Sequence, residues 1–315
     1  MKLLLTTALA GLLTTAAVAD TRDANYIPEG GYASTTGADY VDPSAATPLT
    51  PGQKIADLTA RNFAGETVVQ RLTDRGYWIQ TGFYNTVAYI GDDGVLLMDP
   101  LGDGKGAKVL AAVREITDRP VTAVIYSHHH EDHIGDIGTF IAAAEEFGQT
   151  LRIITTSANA DHMAAGSELP AATEVLDGGA TTTFEGETIQ VTQVGQGAHS
   201  QDSAIWKLVG EDIVHIPDYV NPDQMPWIGF GGSQTFVGFE DDLRQIRDTG
   251  FTFFSGGHGN IGSTADLDFI LQYTTDLKQA AFQAFGQVNY GDYVTPDANN
   301  HQVVAHNFFE AHSDA

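Results

Sequence analysis

The sequence predicts an α/β fold in which two mixed β-sheets pack face to face and helices cover their outer faces. Three observations support this prediction. Apolar, β-rich runs alternate with stretches of helical spacing, and this series of strands and helices occurs twice along the chain. The 315 residues are 42% hydrophobic and 18% charged, an ordinary globular balance with enough apolar residues for a sizeable core. No linker divides the two halves, so we predict one domain.

The first half contains several strand signals in close succession. Residues 66–73 and 77–82 alternate apolar and polar side chains, and two β-rich runs flank Asp93-Gly94, a dipeptide typical of hairpin turns. Helical spacing follows over 106–116 and again over 137–148, where Gly148 is a candidate C-cap. Between these helices lies a short apolar strand, 121–127, which ends at a histidine cluster. A buried strand at 151–157 and a helix near 159–165 complete this half.

The second half repeats the series of strands followed by helices. Four strands are predicted over 180–186, 187–195, 203–210 and 211–218, and a glycine-rich aromatic loop, 225–233, comes next. A helix over 238–248, a strand over 251–257 and a long amphipathic helix over 263–286 follow. The loop 225–233 is either a flap that covers a substrate or a packed surface loop, and Met225, Trp227 and Phe230 are its apolar side chains.

The N-terminus has the features of a secretory signal peptide. Lys2 is followed by a short apolar run, and Ala17-Val18-Ala19 is a small-x-small cleavage motif. The apolar run is too short for a comfortable membrane span. We therefore predict cleavage after Ala19 and a periplasmic or secreted location. The predicted segments are a signal peptide 1–19, an extended arm 20–55, a main domain 56–288 and a polar C-terminal tail 289–315.

Charge and cysteine content narrow the classes of partner and chemistry. Fifteen Lys and Arg residues against 41 Asp and Glu residues give a formal net charge of −26. Such a surface repels nucleic acid and anionic membranes, so neither is a predicted partner, and a small-molecule substrate is expected instead. The chain contains no cysteine, which excludes a thiolate metal ligand or nucleophile and fits an exported protein without disulfides.

The stretch Tyr126–Asp136 holds four histidines and three acids in eleven residues, which indicates a metal site. Residues two apart on an extended segment share a face, so His128 and His130 can point the same way while His129 points elsewhere. Asp132 and His133 follow where the chain turns into the next helix. The cluster therefore offers two pairs of ligands that face two nearby points.

A hydrolytic zinc ion usually takes three protein ligands and keeps one position for water, so each pair needs partners from elsewhere. His199 lies in a glycine-flanked turn between two strands, and His258 lies just past an apolar strand. Asp218 closes an apolar strand, whereas Asp212 opens the same strand and Asp202 follows His199. Strand-end loops commonly present ligands, so His199, His258 and Asp218 are the preferred partners. A structural role is expected for the remaining histidines, His162, His215, His301, His306 and His312.

These residues together resemble the signature of the metallo-β-lactamase-fold metallohydrolases, H-x-H-x-D-H after a strand and then His, Asp and His at later strand ends. The order and spacing match from about residue 66 to 275. The resemblance implies an αββα four-layer sandwich with the site at one edge of the sheets. It implies a first metal on His128, His130 and His199, and a second on Asp132, His133 and His258. Asp218 would bridge the two metals, and Asp99 would lie beside the site.

The resemblance also implies the chemistry. Imidazole and carboxylate ligands suit two zinc ions, and they also accommodate iron or manganese. Two metals can share a water of lowered pKa, and the bridging hydroxide would attack the substrate. Asp132 would be the catalytic residue that orients this hydroxide and shuttles a proton. The expected enzyme is therefore an exported dinuclear zinc hydrolase of an ester, lactone or amide bond.

The substrate prediction depends on where the chain departs from one group of relatives. Asp218 stands where a major β-lactamase group has cysteine, and Asn221 stands where that group has a carboxylate-binding lysine. Neither Lys nor Arg occurs from there to Gln234, so a neutral or apolar-tailed substrate is favoured. Two alternatives remain: a β-lactamase, or a mononuclear-iron oxygenase or non-catalytic metal-binding protein of the same fold. The complete second ligand set argues against a mononuclear site.

Overall fold

A computed structural model describes residues 39–40, 63, 65, 67–222, 224, 226, 229–294 and 301–314. The predicted signal peptide and all but two residues of the arm 20–55 lie outside this range, as do Met225 and Trp227 of the glycine-rich loop. Among the described residues, no helix combines the length and the apolar character that a membrane crossing requires.

Among the described residues, the first sheet has eight strands in chain order, antiparallel from β1 to β5 and parallel from β5 to β8. Its strands are β1 Asp39–Tyr40, β2 Thr67–Arg71, β3 Gly76–Thr81, β4 Tyr84–Ile90, β5 Val95–Met98, β6 Val121–Ile125, β7 Arg152–Thr156 and β8 Glu174–Leu176. The parallel part requires crossover connections, which helices supply. These are α1 Lys105–Ile116, α2 Glu131–Ile134, α3 Ile137–Glu146 and α4 Ser157–Ala164.

In the described part of the chain, the second sheet has six strands in the order β14-β13-β12-β11-β10-β9. They are β9 Thr181–Phe184, β10 Glu187–Gln193, β11 Ala204–Leu208, β12 Ile213–His215, β13 Phe253–Ser255 and β14 Ile261–Gly262. Only the β12–β13 pair is parallel, and helix α5, Phe239–Asp248, makes its crossover. Helix α6, Thr264–Gln287, begins at a capping box formed by Ser263 and Asp266, and a 3₁₀ turn, Tyr290–Tyr293, and helix α7, His301–Asp314, follow.

Strand alternation places apolar side chains on both faces of each sheet. In β4, Val87 and Tyr89 belong to a core cluster that also contains Trp206 and Ile189 of the second sheet. Ala88, between them in sequence, belongs instead to a cluster with the residues of α1 and α3. A third cluster joins the outer face of the second sheet to α5 and α6. The layers are therefore helix, sheet, sheet and helix, as the sequence predicts.

Several elements sharpen the sequence prediction. Helix α4 begins at Ser157, two residues before the predicted start, because the Thr156 side chain accepts a hydrogen bond from the Asn159 backbone N–H. Gly148 adopts φ +69° just after α3 ends, which confirms the predicted stop. The short strands β8 and β14 were not predicted. In the tail after Asn289, the polar composition concealed helix α7.

Candidate metal centre

The seven side chains predicted to bind metal all lie at one edge of the sandwich. His128 and His130 follow the carboxyl end of β6, and α2 carries Asp132 and His133. The second sheet supplies the remaining three from the β10–β11 connection, the end of β12 and the β13–β14 connection, namely His199, Asp218 and His258. Because the carboxyl ends of parallel strands meet at one edge, residues far apart in sequence converge there.

The first group consists of His128, His130, His199 and Asp218, whose candidate ligand atoms all lie within 4.8 Å of one another. His199 Nε2 is 3.1 Å from His130 Nδ1 and 3.2 Å from Asp218 Oδ2. His128 Nε2 is 3.3 Å from the same carboxylate oxygen. Three imidazoles and one carboxylate this close together can bind a transition-metal ion.

The second group consists of Asp132, His133 and His258, which also lie within 4.8 Å of one another. His133 Nε2 is 3.6 Å from Asp132 Oδ2, and His258 Nε2 is 3.9 Å from it. Asp218 reaches this group as well, at 3.2 Å from His133 Nε2 and 2.9 Å from His258 Nε2. The Asp218 carboxylate therefore contacts imidazoles of both groups, which is the position predicted for a bridging ligand.

Asp218 has an unusual backbone and an unusual electrostatic environment. Its φ of +71° lies in the left-handed region, which non-glycine residues adopt at a cost of about 1–3 kcal/mol. The side chain is buried, and burial alone favours the neutral acid. The imidazoles of His133, His128 and His130 outweigh burial and hold the pKa of the Asp218 carboxyl well below its usual range. The carboxylate is thus ionised, as a metal ligand must be.

The ring nitrogens test whether this residue set fits a metal. His128 Nε2, both nitrogens of His133 and His199 Nδ1 are buried without a hydrogen-bond partner among the described residues. His258 Nδ1 donates to the Phe83 carbonyl at 2.8 Å, so its Nε2 carries a lone pair when the ring is neutral. That lone pair faces Asp218 Oδ1 at 2.9 Å, and two acceptors this close need a proton or a cation between them. The residues therefore fit the two-metal arrangement.

Two imidazoles of the centre have opposite pKa shifts. Burial lowers the pKa of His128 to about 4, and the nearby Asp218 only partly offsets this effect. Burial acts in the same direction on His133, but Asp218, Asp132 and Asp99 reverse it and raise its pKa to about 9. At neutral pH without metal, His128 is neutral and His133 carries a proton.

A buried polar chain supports the ligands from behind. Asp99 Oδ1 accepts from the Ser127 backbone N–H at 2.8 Å, and its Oδ2 accepts from His215 Nε2 at 2.9 Å. Ser127 Oγ is hydrogen-bonded to His128 Nδ1 at 2.9 Å, which leaves His128 Nε2 for the centre. The sequence placed Asp99 beside the site and left His215 as structural. It missed the Phe83 carbonyl and Ser127, because backbone and hydroxyl contacts leave no sequence signal.

His129 turns away from both groups, as the strand alternation predicts. Its Nδ1 is 2.9 Å from Asp202 Oδ1, and its backbone N–H donates to Asp202 Oδ2 at 2.8 Å. Its ring stacks on His162 with centroids 3.7 Å apart. Asp202 is therefore excluded from the bridging position and instead joins the β6 loop to the loop that carries His199.

The second group requires a glycine at position 257, because the backbone there passes too close to His133 for a side chain. Its φ is +78°, and a Cβ there would lie 2.7 Å from His133 Cε1 and 2.6 Å from Pro217 Cβ. The backbone of the β13–β14 connection thus packs directly on the imidazole of His133, a candidate ligand. The Gly257 carbonyl also accepts from the Asn85 N–H at 2.7 Å, which ties this connection to the first sheet.

A pocket of about 600 Å³ opens beside the centre. Its described lining comprises His129, His130, Glu131, Asp132, His162, Met163, Ala165, Gly166 and Ser167. Phe230, the described aromatic residue of the glycine-rich loop, lies in a left-handed turn, Gly229–Gly232, and packs against Phe236 and Phe239. This part of the loop is packed against the domain.

Comparisons with known proteins agree with this geometry. Residues 80–146 match the family model described as the metallo-beta-lactamase superfamily. A linear primary-alkylsulfatase from a Pseudomonas species is 33% identical over 63 residues, which is 19% of this chain and 12% of that protein. The chain thus aligns with only a small part of this curated relative's length.

Solved structures resemble the chain over a larger part. A metallo-β-lactamase from Pontibacter korlensis has a TM-score of 0.56 and 16% identity, covering 66% of this chain and 98% of its own. One from Hirschia baltica has a TM-score of 0.53 and 17% identity, covering 65% and 96% respectively. At these identities the likeness establishes the fold. The chain therefore has the metallo-β-lactamase fold, and its residues 80–146 carry the sequence pattern of the metallo-beta-lactamase superfamily.

Proposed function

We propose that this protein is an exported dinuclear zinc hydrolase that cleaves a neutral or apolar-tailed ester, lactone or amide. The observation that carries the proposal is the Asp218 carboxylate, which contacts imidazoles of both ligand groups. When bound, two ions at such a centre would supply Lewis acidity and a water of lowered pKa. Imidazole and carboxylate donors favour zinc among the available metals, although iron and manganese also use them.

The protein's own groups would orient the ligand rings and transfer the proton. Ser127, through His128 Nδ1, and the Phe83 carbonyl, through His258 Nδ1, orient the two ligand rings. Of the seven candidate ligand side chains, Asp132 is the most exposed, at 35%, and together with His130 it lines the pocket. Its carboxylate can therefore orient the attacking water and then hold a proton for the leaving group, which is the general acid–base role.

The pocket's charge supports the substrate class. Among the described lining residues there is neither Lys nor Arg, whereas Glu131 and Asp132 are acidic. Lys105 approaches the site with its Nζ 4.1 Å from the Tyr84 ring centroid. However, the Asp103 carboxylate pairs with its charge, and the Gly102 carbonyl accepts a hydrogen bond from it. An anionic substrate group would find no unpaired cation in this lining, so a neutral substrate is preferred.

The test joins metal analysis to a substrate panel. Mass spectrometry of the purified chain should find at least two transition-metal ions, and a chelator should remove both the ions and hydrolysis of chromogenic esters, lactones or anilides. The panel should include a cephalosporin, an alkyl sulfate and a phosphodiester. The proposal fails if the loaded protein hydrolyses none of the neutral substrates. Faster turnover of the cephalosporin would favour the β-lactamase alternative, and comparison of the mature N-terminus with Ala19 tests export.

A further inference from the structure

Beside the dinuclear centre lies a second cluster of metal-binding side chains, formed by His129, His162 and Asp202. Their candidate ligand atoms all lie within 4.8 Å of one another. None of the three belongs to the seven ligands of the proposed centre. We propose that these residues form a third metal site, which takes zinc or a similar transition-metal ion beside the pocket.

The first argument is the distance between two donors. His129 Nδ1 and Asp202 Oδ1 are 2.9 Å apart. A tetrahedral zinc with bonds of about 2.0–2.2 Å separates neighbouring ligand atoms by roughly 3.3–3.6 Å. The pair therefore needs to open by only a few tenths of an ångström for an ion to replace the shared proton.

The second argument is that Asp202 is already held in place by donors that an ion would leave intact. Its side chain is buried, its Oδ2 accepts from the His129 backbone N–H at 2.8 Å, and its Oδ1 accepts from Ser200 Oγ at 2.8 Å. Ser200 Oγ is in turn 2.8 Å from Ser203 Oγ. Metal-binding carboxylates are characteristically oriented by such outer hydrogen bonds.

The third donor, His162, lies on α4, and the packing of that helix fixes its backbone. Buried Asn159 and Met163 anchor α4, and the Asn159 side chain donates to Thr155 Oγ1 at 2.8 Å. The His162 ring itself is exposed and stacks on His129 with an interplanar angle of 26°. An exposed ring can rotate to point a nitrogen at an ion held by the other two residues. The ion's remaining positions would face the pocket, which His129 and His162 both line.

The experiment counts ions in the full-length protein. Metal-free chain is equilibrated with zinc buffered in the micromolar range and analysed by native mass spectrometry. Wild-type protein should bind three ions and His162→Ala two, with the third ion's affinity reduced at least ~10-fold. His306→Ala is the matched control, because His306 is also an exposed helical histidine but lies on α7 away from the pocket, and it should bind three.

A second readout identifies the ligands. In spectra of ¹⁵N-histidine-labelled protein, the third zinc equivalent should shift the His129 Nδ1 resonance, and His162→Ala should abolish that shift. Two ions in both wild type and His162→Ala would overturn the third site while leaving the dinuclear proposal intact. Three ions in both would overturn the assignment of His162 as a ligand. Fewer than two ions in wild type would overturn the third site and the dinuclear centre together.

Discussion

The two ligand groups of the proposed centre differ in how they are enclosed. In the first, His128 and His199 are each only 1% exposed, while His130 is 31% exposed and lines the pocket. In the second, Asp132 is 35% exposed and His258 19%, although His133 is fully buried. The second group thus has two partly exposed side chains where the first has one, so water and chelators reach the second group more easily. The same contrast leaves Asp132 free to meet a substrate, and we expect the first group to bind an ion more tightly than the second.

Asp218→Ala should have the largest effect, because it removes the contact that the two groups share. Five imidazoles would lose their carboxylate partner, including His133, whose proton depends on it. We expect loss of both ions of the centre and a fall in hydrolysis of well over ~100-fold, beyond the 10–100-fold that a supporting residue costs. Metal content and kcat/KM measure this. Retention of one tightly bound ion would mean that Asp218 serves a single group.

His130→Ala and His258→Ala should separate the groups. Each variant loses one ligand of one group, so each should lose one ion of the centre and nearly all activity. In the wild type, partial chelation should remove the ion of the more exposed second group first. A cobalt spectrum recorded after each equivalent distinguishes the two positions. If chelation emptied the first group first, exposure would not determine the order of affinity.

Gly257→Ala should disturb the second group alone. The added Cβ would approach His133 Cε1 and Pro217, and a φ of +78° is itself unfavourable for alanine. We expect the second ion to bind ~10–100-fold more weakly, as when an outer support is lost, while the first keeps its affinity. Calorimetric zinc titration resolves the two steps. Gly250→Ala is a suitable control, since Gly250 also has positive φ but meets no atom within 4 Å. Equal weakening in both variants would indicate general backbone strain.

His129→Ala should have a much smaller effect than His130→Ala, although the two residues are adjacent. The His129 ring is hydrogen-bonded to Asp202 and stacks on His162. Neither of these two residues belongs to the ligand groups of the proposed centre. The backbone bond from residue 129 to Asp202 survives the substitution. We expect both ions of the centre to be retained and activity to fall less than ~10-fold. Equal losses in the two variants would contradict the alternation on which the ligand assignment rests.

The residues that gather at the candidate centre were largely predictable because their positions follow local rules. Strand alternation separates His128 and His130 from His129, and strand ends mark His199, Asp218 and His258. The fold was predictable because a series of strands and helices occurs twice along the chain. What the sequence could not supply depends on long-range contacts. His162 and Asp202 come together with His129 only because α4 and the β10–β11 connection pack beside the β6 loop. The helix α7 likewise has too polar a composition to stand out.

The proton on His133 should give the smallest of the expected effects, a proton release on metal binding that distinguishes the two groups. Its pKa in the metal-free fold is raised to about 9, above the ordinary value of about 6.5. The protonated ring therefore stabilises the metal-free protein fully below about pH 6.5, and this contribution is lost as the pH rises through 9.

An ion needs the neutral His133 ring, so its binding to the second group at pH 7.5 should release about one proton. His128, with a pKa of about 4, has no proton to release there. Zinc titrations in two buffers of different ionisation enthalpy measure the release at each step. Proton release confined to the first step would show that His133 belongs with the tighter ion.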